Sequence, residues 1–203
     1  MELIEAVVLA VRAQKPAVLP FDTVYGLAAD PYHEQATRRL YELKGRDESR
    51  PSALVAASVD YLLECVPELR AHIAAPARAL LPGPVTLILH NPARRFRWLT
   101  GPNPDAIGVR VPRLDGLAAE ALQRLGAVVA TSANRPGGPD PRRLADVPEN
   151  ILAGAGAVLD GGVLPGTPST VVDLTGAEPR IVREGALTGE EVLDRLAAAV
   201  RSS

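Results

Sequence analysis

The chain has 203 residues, of which 47% are hydrophobic but only 3% aromatic, so its core must be built largely from aliphatic side chains. The formal net charge of −2 lacks the positive excess that a protein needs to hold nucleic acid through the phosphate backbone. A single cysteine, Cys65, excludes an internal disulfide and a cysteine-based zinc cluster.

The N-terminal segment and the apolar runs indicate a protein of the cytosol. Glu2 and Glu5 stand where a secretory signal peptide needs positive charge. Residues 2–14 instead carry the apolar stripe of an amphipathic helix. No apolar run approaches the roughly 18 residues of a membrane-spanning helix. We therefore expect a cytoplasmic protein that does not enter a membrane.

Helical and extended patterns alternate along the first half of the chain. After the first helix, "AVLP" over residues 17–20 predicts a buried strand. The elements that follow are a helix over 34–44, a strand over 52–57, and helices over about 60–65 and 68–81. A Pro-Gly-Pro turn at residues 82–84 then separates this half from the next.

The second half of the chain is richer in strands. In chain order we predict strands over 84–90 and 106–112, a helix over 114–125, a strand over 127–134 that runs into a loop, a short strand over 157–162 and a closing helix over 189–201. "STVVDL" and "PRIVREG" flank residues 175–178 and predict a hairpin. Together these elements predict one α/β domain over residues 1–203, with a mixed parallel and antiparallel sheet flanked by helices.

Polar clusters stand at the end of several apolar runs, as Asp22, Thr23 and Tyr25 do in "LPFDTVYGLAADP". In α/β sheets, ligands gather where strands end and loops converge. The other clusters are residues 44–46 with Arg50, Arg110, residues 131–134, Ser169 with Thr170, and residues 183–185. Their arginines, single lysine and hydroxyls, with few carboxylates, suit an anionic ligand that carries phosphate or carboxylate groups.

Each cluster also has a plainer structural explanation. Lys44-Gly45-Arg46 is typical of a helix that ends at glycine with cations on its dipole. Arg110 fits a surface position in a strand, residues 131–134 fit a capping turn, and Ser169 fits the start of a strand. The chain has no Walker loop, dinucleotide fingerprint or nucleophile elbow, and its three histidines lack metal-ligand spacing. Only a cleft for phosphate or carboxylate follows from the residues alone.

Two further features have open explanations. The 22 basic residues include only two lysines, Lys15 and Lys44. A lysine kept against this bias suggests a chemical role, although chance is the simpler explanation for either one alone. The irregular segment 91–106 carries three arginines near Phe96 and Trp98. It is either a basic flap over a site or, as we favour, a solvated loop that one tryptophan anchors.

Taken in order, the motifs are more informative than any one of them. "PFDTVYGLAADP", "KGRDESRP", "LPGPVTLIL", "IGVRVP", "TSANRPGG", "LDGG" and "PSTVVDLTGAEPRIVREG" resemble the successive motifs of the YrdC/TsaC family of threonylcarbamoyl-AMP synthases. The resemblance covers residues from about 3 to about 187. It implies a twisted, mixed α/β sheet around a deep, positively charged cavity, and the family's short form without an extra C-terminal domain.

The resemblance also implies a nucleotidyltransferase reaction and its partners. L-threonine, bicarbonate or CO2, and ATP would give L-threonylcarbamoyladenylate and pyrophosphate. The product would pass to the tRNA threonylcarbamoyl transferase complex, which modifies adenosine 37 of tRNAs that read codons beginning with A. Mg2+ would enter with the nucleotide rather than on protein ligands, because no carboxylate cluster is evident. Binding of tRNA by this chain itself would be weak or absent.

The family's functional residues can be placed by motif. The resemblance implies that the catalytic residues are Lys44 and Arg46. It implies that the ATP site comprises Lys44, Arg46 and Arg50 on the triphosphate, together with Ser132, Asn134 and Arg183. It implies that the threonine site comprises Thr23, Tyr25, Arg110 and Ser169, with Arg110 on the carboxylate.

Three departures from the family pattern and two rival functions remain at this stage. Phe21 stands where the family usually has threonine, and Arg135-Pro136 alters the segment after "SAN". Some long-form relatives have a histidine near the position of Val55, and this chain does not. The first rival is an RNA-binding paralogue without synthase activity, which the net charge and the scarce aromatics disfavour. The second is a sugar-phosphate enzyme, whose acidic metal cluster is reduced here to Asp22 alone.

Overall fold

The computed structural model describes residues 2–70 and 78–201. The predicted helix over 68–81 falls largely on residues 71–77, outside the described residues, although Arg70 and residues 78–80 are helical. Within the described chain, the α-helices are α1 (Glu2–Arg12), α2 (Glu34–Lys44), α3 (Val59–Cys65), α4 (Gly116–Leu125), α5 (Glu149–Gly154) and α6 (Gly189–Arg201). Short 3-10 helices lie at Pro67–Leu69, Arg97–Leu99 and Leu144–Asp146.

Nine strands form one sheet in the described part of the chain. They are β1 (Ala17–Pro20), β2 (Tyr25–Ala29), β3 (Ala53–Ala56), β4 (Val85–His90), β5 (Ala106–Arg110), β6 (Ala127–Ser132), β7 (Ala157–Val158), β8 (Thr170–Asp173) and β9 (Arg180–Arg183). Their order across the sheet is β7-β1-β2-β6-β3-β5-β4-β8-β9. Three of the eight strand pairs are parallel and five antiparallel, so the predicted mixed sheet is confirmed.

Side chains alternate between the two faces of the sheet because successive residues of a strand point in opposite directions. One face carries large aliphatic side chains such as Leu54, Leu87 and Val109, which are fully buried in the larger apolar cluster. Helices α2, α3, α5 and α6 contribute to the same cluster, with Leu40, Leu62, Ile151 and Val192. We call this the covered face.

The opposite face is covered along only part of its width. Helices α1 and α4 pack on it with Val7, Val11 and Leu122, against Leu19 and Val128 of the sheet. Over β5, β4 and β8 the same face opens on a cavity whose lining includes Thr86, Gly108 and Val171. We call this the cavity face.

The structure corrects several predicted boundaries. The main error concerns β2, because the sequence pattern treats Gly26 as a turn, whereas Tyr25–Ala29 is a strand that pairs with β1 in a hairpin. The first helix ends at Arg12, two residues early, because Gln14 adopts a left-handed φ of 60°. Helix α5 has no counterpart among the predictions. The hairpin of β8 and β9 and the helix over 34–44 are confirmed.

Candidate functional site

The cavity exists because small side chains occupy the cavity face where strands meet. Its volume is about 510 Å³. Ala53 of β3, Ala106 and Gly108 of β5, and Ala130 of β6 line it, and none of them fills the space above the sheet. An added Cβ at Gly108 would meet its nearest heavy atom only at 3.7 Å. The pattern of alternate small residues in these strands is a sequence signal for a ligand site that the prediction did not use.

The cavity lining contains charged residues of both signs. They are Arg46, Arg110, Arg183, Asp140 and Asp173. Asp22, just outside this lining, forms an ion pair with Arg110, so the three guanidinium groups are matched by three carboxylates. Anionic groups of a ligand would bind at the individual guanidinium groups. A deep and strongly basic cavity, as the resemblance implies, stays a prediction.

Arg110 is the most buried of these cations, at 9% exposure. Its Nη2 group donates to Asp22 Oδ1 and, at 2.8 Å, to Thr23 Oγ1. The other carboxylate oxygen, Asp22 Oδ2, accepts from the backbone N–H of Arg113 at 2.9 Å. Arg110 Nε is buried with no hydrogen-bond partner in the described structure. A buried donor left in this way costs about 1–3 kcal/mol, which a ligand carboxylate on the same guanidinium would offset.

The electrostatic environment of Arg110 also favours the binding of an anionic group. Burial lowers the pKa of Arg110, the carboxylate of Asp22 opposes that shift, and the neighbouring Arg183 adds to it. Arginine nevertheless stays protonated at neutral pH. The guanidinium groups of Arg110 and Arg183 therefore repel each other, and the carboxylate of Asp22 offsets part of this repulsion. An anion bound between the two guanidinium groups would be stabilised.

Ser169 and Arg183 lie together at the β8–β9 hairpin. Ser169 is 4% exposed, and its hydroxyl lies 2.9 Å from that of Thr86 on the neighbouring strand β4. Arg183 Nη2 donates to the backbone oxygen of Ser169 at 2.7 Å and to its hydroxyl at 3.3 Å. The hairpin therefore brings the Arg183 guanidinium and the Ser169 hydroxyl to the cavity wall, where β4 adds the hydroxyl of Thr86.

The end of α2 presents Arg46 to the cavity. Gly45 ends the helix in a left-handed conformation, with φ of 69°. Arg46 follows and donates from Nη2 to the backbone oxygen of Pro51 at 2.7 Å and from Nε to that of Arg50 at 3.3 Å. The side chain of Arg50 is exposed and does not line the cavity. Of the two arginines predicted to bind the triphosphate, Arg46 lies at the cavity and Arg50 lies outside it.

Lys44 is 4% exposed and lies on α2. Its Nζ donates to the backbone oxygen of Ser132 and to two oxygens of Asn134, the backbone oxygen at 2.9 Å and Oδ1 at 2.6 Å. Burial lowers the pKa of Lys44 to about 8, Arg46 adds to the shift and Asp140 opposes it. Lys44 does not line the cavity, so its ammonium supports the turn at residues 132–134 from behind.

Asn134 is bonded on both sides of its amide. Its Oδ1 accepts from Lys44 and from the Ser132 hydroxyl at 2.8 Å. Its Nδ2 donates to the backbone oxygen of Gly138 at 2.7 Å and to Asp140 Oδ1 at 3.3 Å. Ser132 lines the cavity, whereas Asn134 does not. In this structure Asn134 shapes the turn that presents Ser132.

The prediction that Tyr25 lines the cavity is wrong for this structure. Tyr25 lies in β2, and strand alternation places its ring on the covered face while Gly26 points to the cavity. The hydroxyl donates toward Asp160 Oδ1 at 2.7 Å and the backbone oxygen of Gly162 at 2.9 Å. Burial and Asp160 raise the pKa of this hydroxyl. Tyr25 therefore anchors the loop after β7.

Among the polar residues that line the cavity, sequence reasoning assigned no role to Thr86, Asp140 or Asp173. Asp22 belongs to the first predicted polar cluster but was given no role in the site, and the structure shows that it is the buried partner of Arg110. Thr86 stands in a strand that reads as apolar, and the alternation of "VTLILH" was the available signal, since it places Thr86 and Ile88 on one face. No sequence signal places Asp140 beside Asn134.

The loop over residues 91–105 lies largely against the covered face. Phe96 belongs to the larger apolar cluster, Trp98 packs against it, and Trp98 Nε1 donates to the backbone oxygen of Pro31 at 3.0 Å. Arg94 and Arg95 form ion pairs with Asp105 at 2.8 Å and Glu68 at 2.7 Å. The tryptophan thus anchors this segment, and two residues of its second half, Thr100 and Asn103, line the cavity.

Two further features, a metal-ligand cluster and a membrane-spanning helix, can be assessed in the described residues, 2–70 and 78–201. There, no three or more His, Cys, Asp or Glu side chains come together in a way that would hold a metal ion. The same ranges contain no helix that is both long enough and apolar enough to cross a bilayer.

Comparison with known proteins identifies relatives that match most of the chain. A curated relative from Pyrococcus abyssi, named threonylcarbamoyl-AMP synthase, is 33% identical over 184 residues, which cover 90% of this chain and 54% of the relative. One from Xanthomonas euvesicatoria, with the same name, is 38% identical over 147 residues, covering 70% of this chain and 76% of the relative. The chain thus spans about half the length of the Pyrococcus relative and three quarters of the Xanthomonas one.

Solved structures give the same result. The structure of P. abyssi Sua5 complexed with L-threonine has a TM-score of 0.86 and 32% identity, and the match covers 95% of this chain and 56% of that one. Escherichia coli YciO has a TM-score of 0.79 and 25% identity, covering 92% and 91%. The family profile of Sua5, YciO and YrdC, described as telomere recombination, matches residues 10–185. The chain therefore belongs to the Sua5/YciO/YrdC family.

Proposed function

We propose that this protein is a threonylcarbamoyl-AMP synthase, which condenses L-threonine, bicarbonate or CO2, and ATP. The observation that carries the proposal is the convergence of Arg46, Arg110 and Arg183 with strand-end hydroxyls on one cavity of about 510 Å³. The cavity has the size of a small-molecule site. Support comes from relatives that carry this name and from a neighbouring structure that contains L-threonine.

In the proposal, the amino acid binds at the end of the cavity formed by Arg110, Thr23 and Ser169. The guanidinium of Arg110 has three N–H groups that make no hydrogen bond in the described structure, one on Nε and two on Nη1. A carboxylate would accept from Nε or from Nη1, and a parallel pair of donors would also need Nη2, which already donates to Asp22 and Thr23. Thr23 and Ser169 then offer hydroxyls at 0% and 4% exposure to orient the amino acid's polar groups. Tyr25 has no direct contact in this scheme.

The nucleotide would occupy the end that Arg46 and Ser132 line. Arg46 supplies charge to the triphosphate, and Arg50 reaches it only if its exposed side chain folds inward. Lys44 and Asn134 hold the turn that presents Ser132, so Lys44 acts through that turn in the structure described. Arg183, next to Ser169, lies where the charge of both substrates meets. Arg46 is thus the stronger of the two predicted catalytic residues.

The proposed chemistry asks for positioning and charge stabilisation rather than covalent catalysis. The amine of threonine adds CO2 and loses a proton to give a carbamate. A carbamate oxygen then bonds to the α-phosphorus of ATP as the bond from that phosphorus to the bridging oxygen breaks, which releases pyrophosphate. The arginines hold two anions together and stabilise the charge on the phosphates.

Mg2+ would enter with ATP, on the phosphates, since the described residues offer no cluster of carboxylates to hold it. Its contribution when bound would be to neutralise phosphate charge. We further propose that the adenylate passes to the tRNA threonylcarbamoyl transferase complex, that the protein acts in the cytoplasm, and that one domain over residues 1–203 is sufficient for the reaction. The RNA-binding alternative is not favoured, because the net charge is −2 and no relative cited above is named for it.

One assay tests the proposal. Purified protein is incubated with ATP, L-threonine and bicarbonate, and the adenylate is detected by mass spectrometry while pyrophosphate release is followed. We expect both products only when threonine and bicarbonate are present. Pyrophosphate release without threonine would contradict the proposal. So would tight binding of unmodified tRNA at moderate salt, measured by filter binding, without any adenylate.

A further inference from the structure

Phe21, which stood as an unexplained departure in the sequence, has a defined place in the structure. It follows β1, is 5% exposed, and lines the cavity. It belongs to the smaller apolar cluster, together with Val55 and Ala130, which also line the cavity. The ring thus forms an apolar part of the cavity wall that the packing of α1 and the sheet holds from behind.

The ring lies directly on Gly26 of the neighbouring strand. A Cβ built on Gly26 would lie 2.5 Å from Cε2 and 2.6 Å from Cδ2 of Phe21, closer than real Cβ atoms approach other atoms. Gly26 does not have a positive φ, so space and not backbone conformation requires glycine here. The phenyl ring therefore packs on Gly26 and occupies space that a side chain at position 26 would otherwise take.

The same ring is next to the proposed carboxylate site. The guanidinium carbon of Arg110 lies 5.9 Å from the centroid of the Phe21 ring, within the range of a cation–π contact. Arg110 in turn donates to Thr23 Oγ1. Ring, guanidinium and hydroxyl are therefore parts of one end of the cavity, and an amino acid whose carboxylate binds Arg110 has its side chain within reach of the ring.

We propose that Phe21 is a specificity-determining residue, whose ring limits the size of the amino-acid side chain accepted at the Arg110 end. This inference rests on the proposed function. The ring supplies an apolar contact for the γ-methyl group of threonine and closes the space that a longer side chain needs. Apolar pockets discriminate one methylene by roughly 10- to 200-fold, so one phenyl ring is sufficient to exclude a longer amino acid.

The test compares three amino acids in Phe21→Ala and Phe21→Leu proteins. L-valine matches threonine in size and lacks the hydroxyl, whereas L-isoleucine is longer by one carbon. We expect the ratio of kcat/KM for threonine over isoleucine to fall by at least about 10-fold in Phe21→Ala, and less in Phe21→Leu. The ratio for threonine over valine and the KM for ATP should each change less than about 3-fold.

The only other phenylalanine of the chain provides a matched control. Phe96 is also buried, at 9% exposure, but belongs to the cluster of the covered face. Phe96→Leu should therefore lower the stability of the protein, as Phe21→Leu does, but leave the ratio of kcat/KM for threonine over isoleucine unchanged. A ratio that shifts equally in both leucine variants, or in neither alanine nor leucine variants at Phe21, would overturn the assignment.

The inference and the proposed function fail separately. If the wild-type protein makes no adenylate, the proposed function is wrong, and calorimetric binding of threonine and isoleucine to the same variants decides the role of Phe21. A shift of relative affinity toward isoleucine in the Phe21 variants supports it, and wild-type protein that binds neither amino acid overturns it. If Phe21→Ala fails to fold by circular dichroism, Phe21→Leu carries the comparison.

Discussion

The two faces of the sheet are built from the same strands and serve different purposes. Along β3, β4 and β5, alternate residues place Leu54, Leu87 and Val109 on the covered face and, apart from Ile88, smaller or polar residues on the cavity face. Four of the described α-helices pack on the covered face, whereas α1 and α4 leave part of the other face open. The difference shows that this site is made by withholding apolar volume from one face, while the other face stabilises the sheet.

The largest expected effect breaks the charge arrangement on the cavity face. We predict that Arg110→Ala lowers threonine-dependent pyrophosphate release by at least about 10²-fold, because it removes a charge-assisted contact in a largely dry site. It also leaves Asp22, whose side chain is 10% exposed, without its partner, so stability falls as well.

The double variant Arg110→Ala with Asp22→Ala separates these two effects. Chemical denaturation should show that it recovers much of the lost stability, because no buried charge is left alone. Activity should stay at the level of the single variant. Turnover that returns with stability would mean that Arg110 serves the fold and does not contact substrate.

The second prediction compares a substitution of a large residue on the covered face with a substitution of a small residue on the cavity face. Leu87→Ala on the covered face should lower the free energy of unfolding by about 2–5 kcal/mol, since it leaves a cavity in a closed core. Gly108→Ala on the cavity face should change it by less than about 1 kcal/mol, because the nearest heavy atom to its new Cβ is 3.7 Å away. Urea denaturation of both proteins makes the comparison, and equal losses would refute the distinction between the faces.

The third prediction concerns Lys44, which lies on helix α2 and whose ammonium group contacts the turn that presents Ser132. Its pKa is lowered from 10.5 to about 8, chiefly by burial. Between these pH values the unfolded chain holds a proton that the folded protein has lost, so stability rises with pH. Relative to Lys44→Met, the wild-type protein should gain about 3 kcal/mol between pH 8 and 10.5, and should lose this contribution as pH falls through 8.

Urea denaturation of both proteins at half-unit pH steps measures this difference. Subtracting the Lys44→Met curve removes the titration of tyrosines and other groups that the two proteins share. Two parallel curves would show that the ammonium of Lys44 is not desolvated in the folded protein.

The smallest effect tests the separation of Tyr25 from the cavity. Tyr25→Phe removes the hydroxyl that meets Asp160, Gly161 and Gly162, so we expect a loss of about 1–3 kcal/mol in stability. Threonine-dependent kcat/KM should change less than about 3-fold, because the ring points to the covered face. Thr86→Val, on the cavity face, should show the reverse pattern. A large loss of activity without loss of stability in Tyr25→Phe would place the hydroxyl at the substrate.

Much of the fold was accessible from local patterns. Helix α2 was predicted at its true ends because a glycine in the left-handed conformation stops it, and the β8–β9 hairpin because two apolar runs flank a polar turn. Strand β2 was missed because glycine and alanine have weak strand preference. Its extended form comes from pairing with β1 and β6, partners that lie up to about a hundred residues away along the chain.

The candidate site divides in the same way. The polar clusters that contain Thr23, Arg46, Arg110 and Ser169 were identified from their position after apolar runs, and the structure brings these four to one cavity. Lys44, Asn134 and Tyr25 were named with them but face elsewhere, because a side chain's direction depends on the strand register and on the hydrogen bonds of its neighbours.

The sequence by itself determined which residue types this protein can offer an anion, where its helices end, and which family it resembles, because these depend on local chemistry and motif order. The tertiary structure alone decided that Asp22 is the partner of Arg110, that Phe21 is seated on Gly26, and that one face of the sheet stays partly open. Asp22 and Arg110 are 88 residues apart in the chain, and Phe21 and Gly26 lie in one hairpin. Strand order and register, rather than local preference, decide which of these side chains meet and which part of the face stays open.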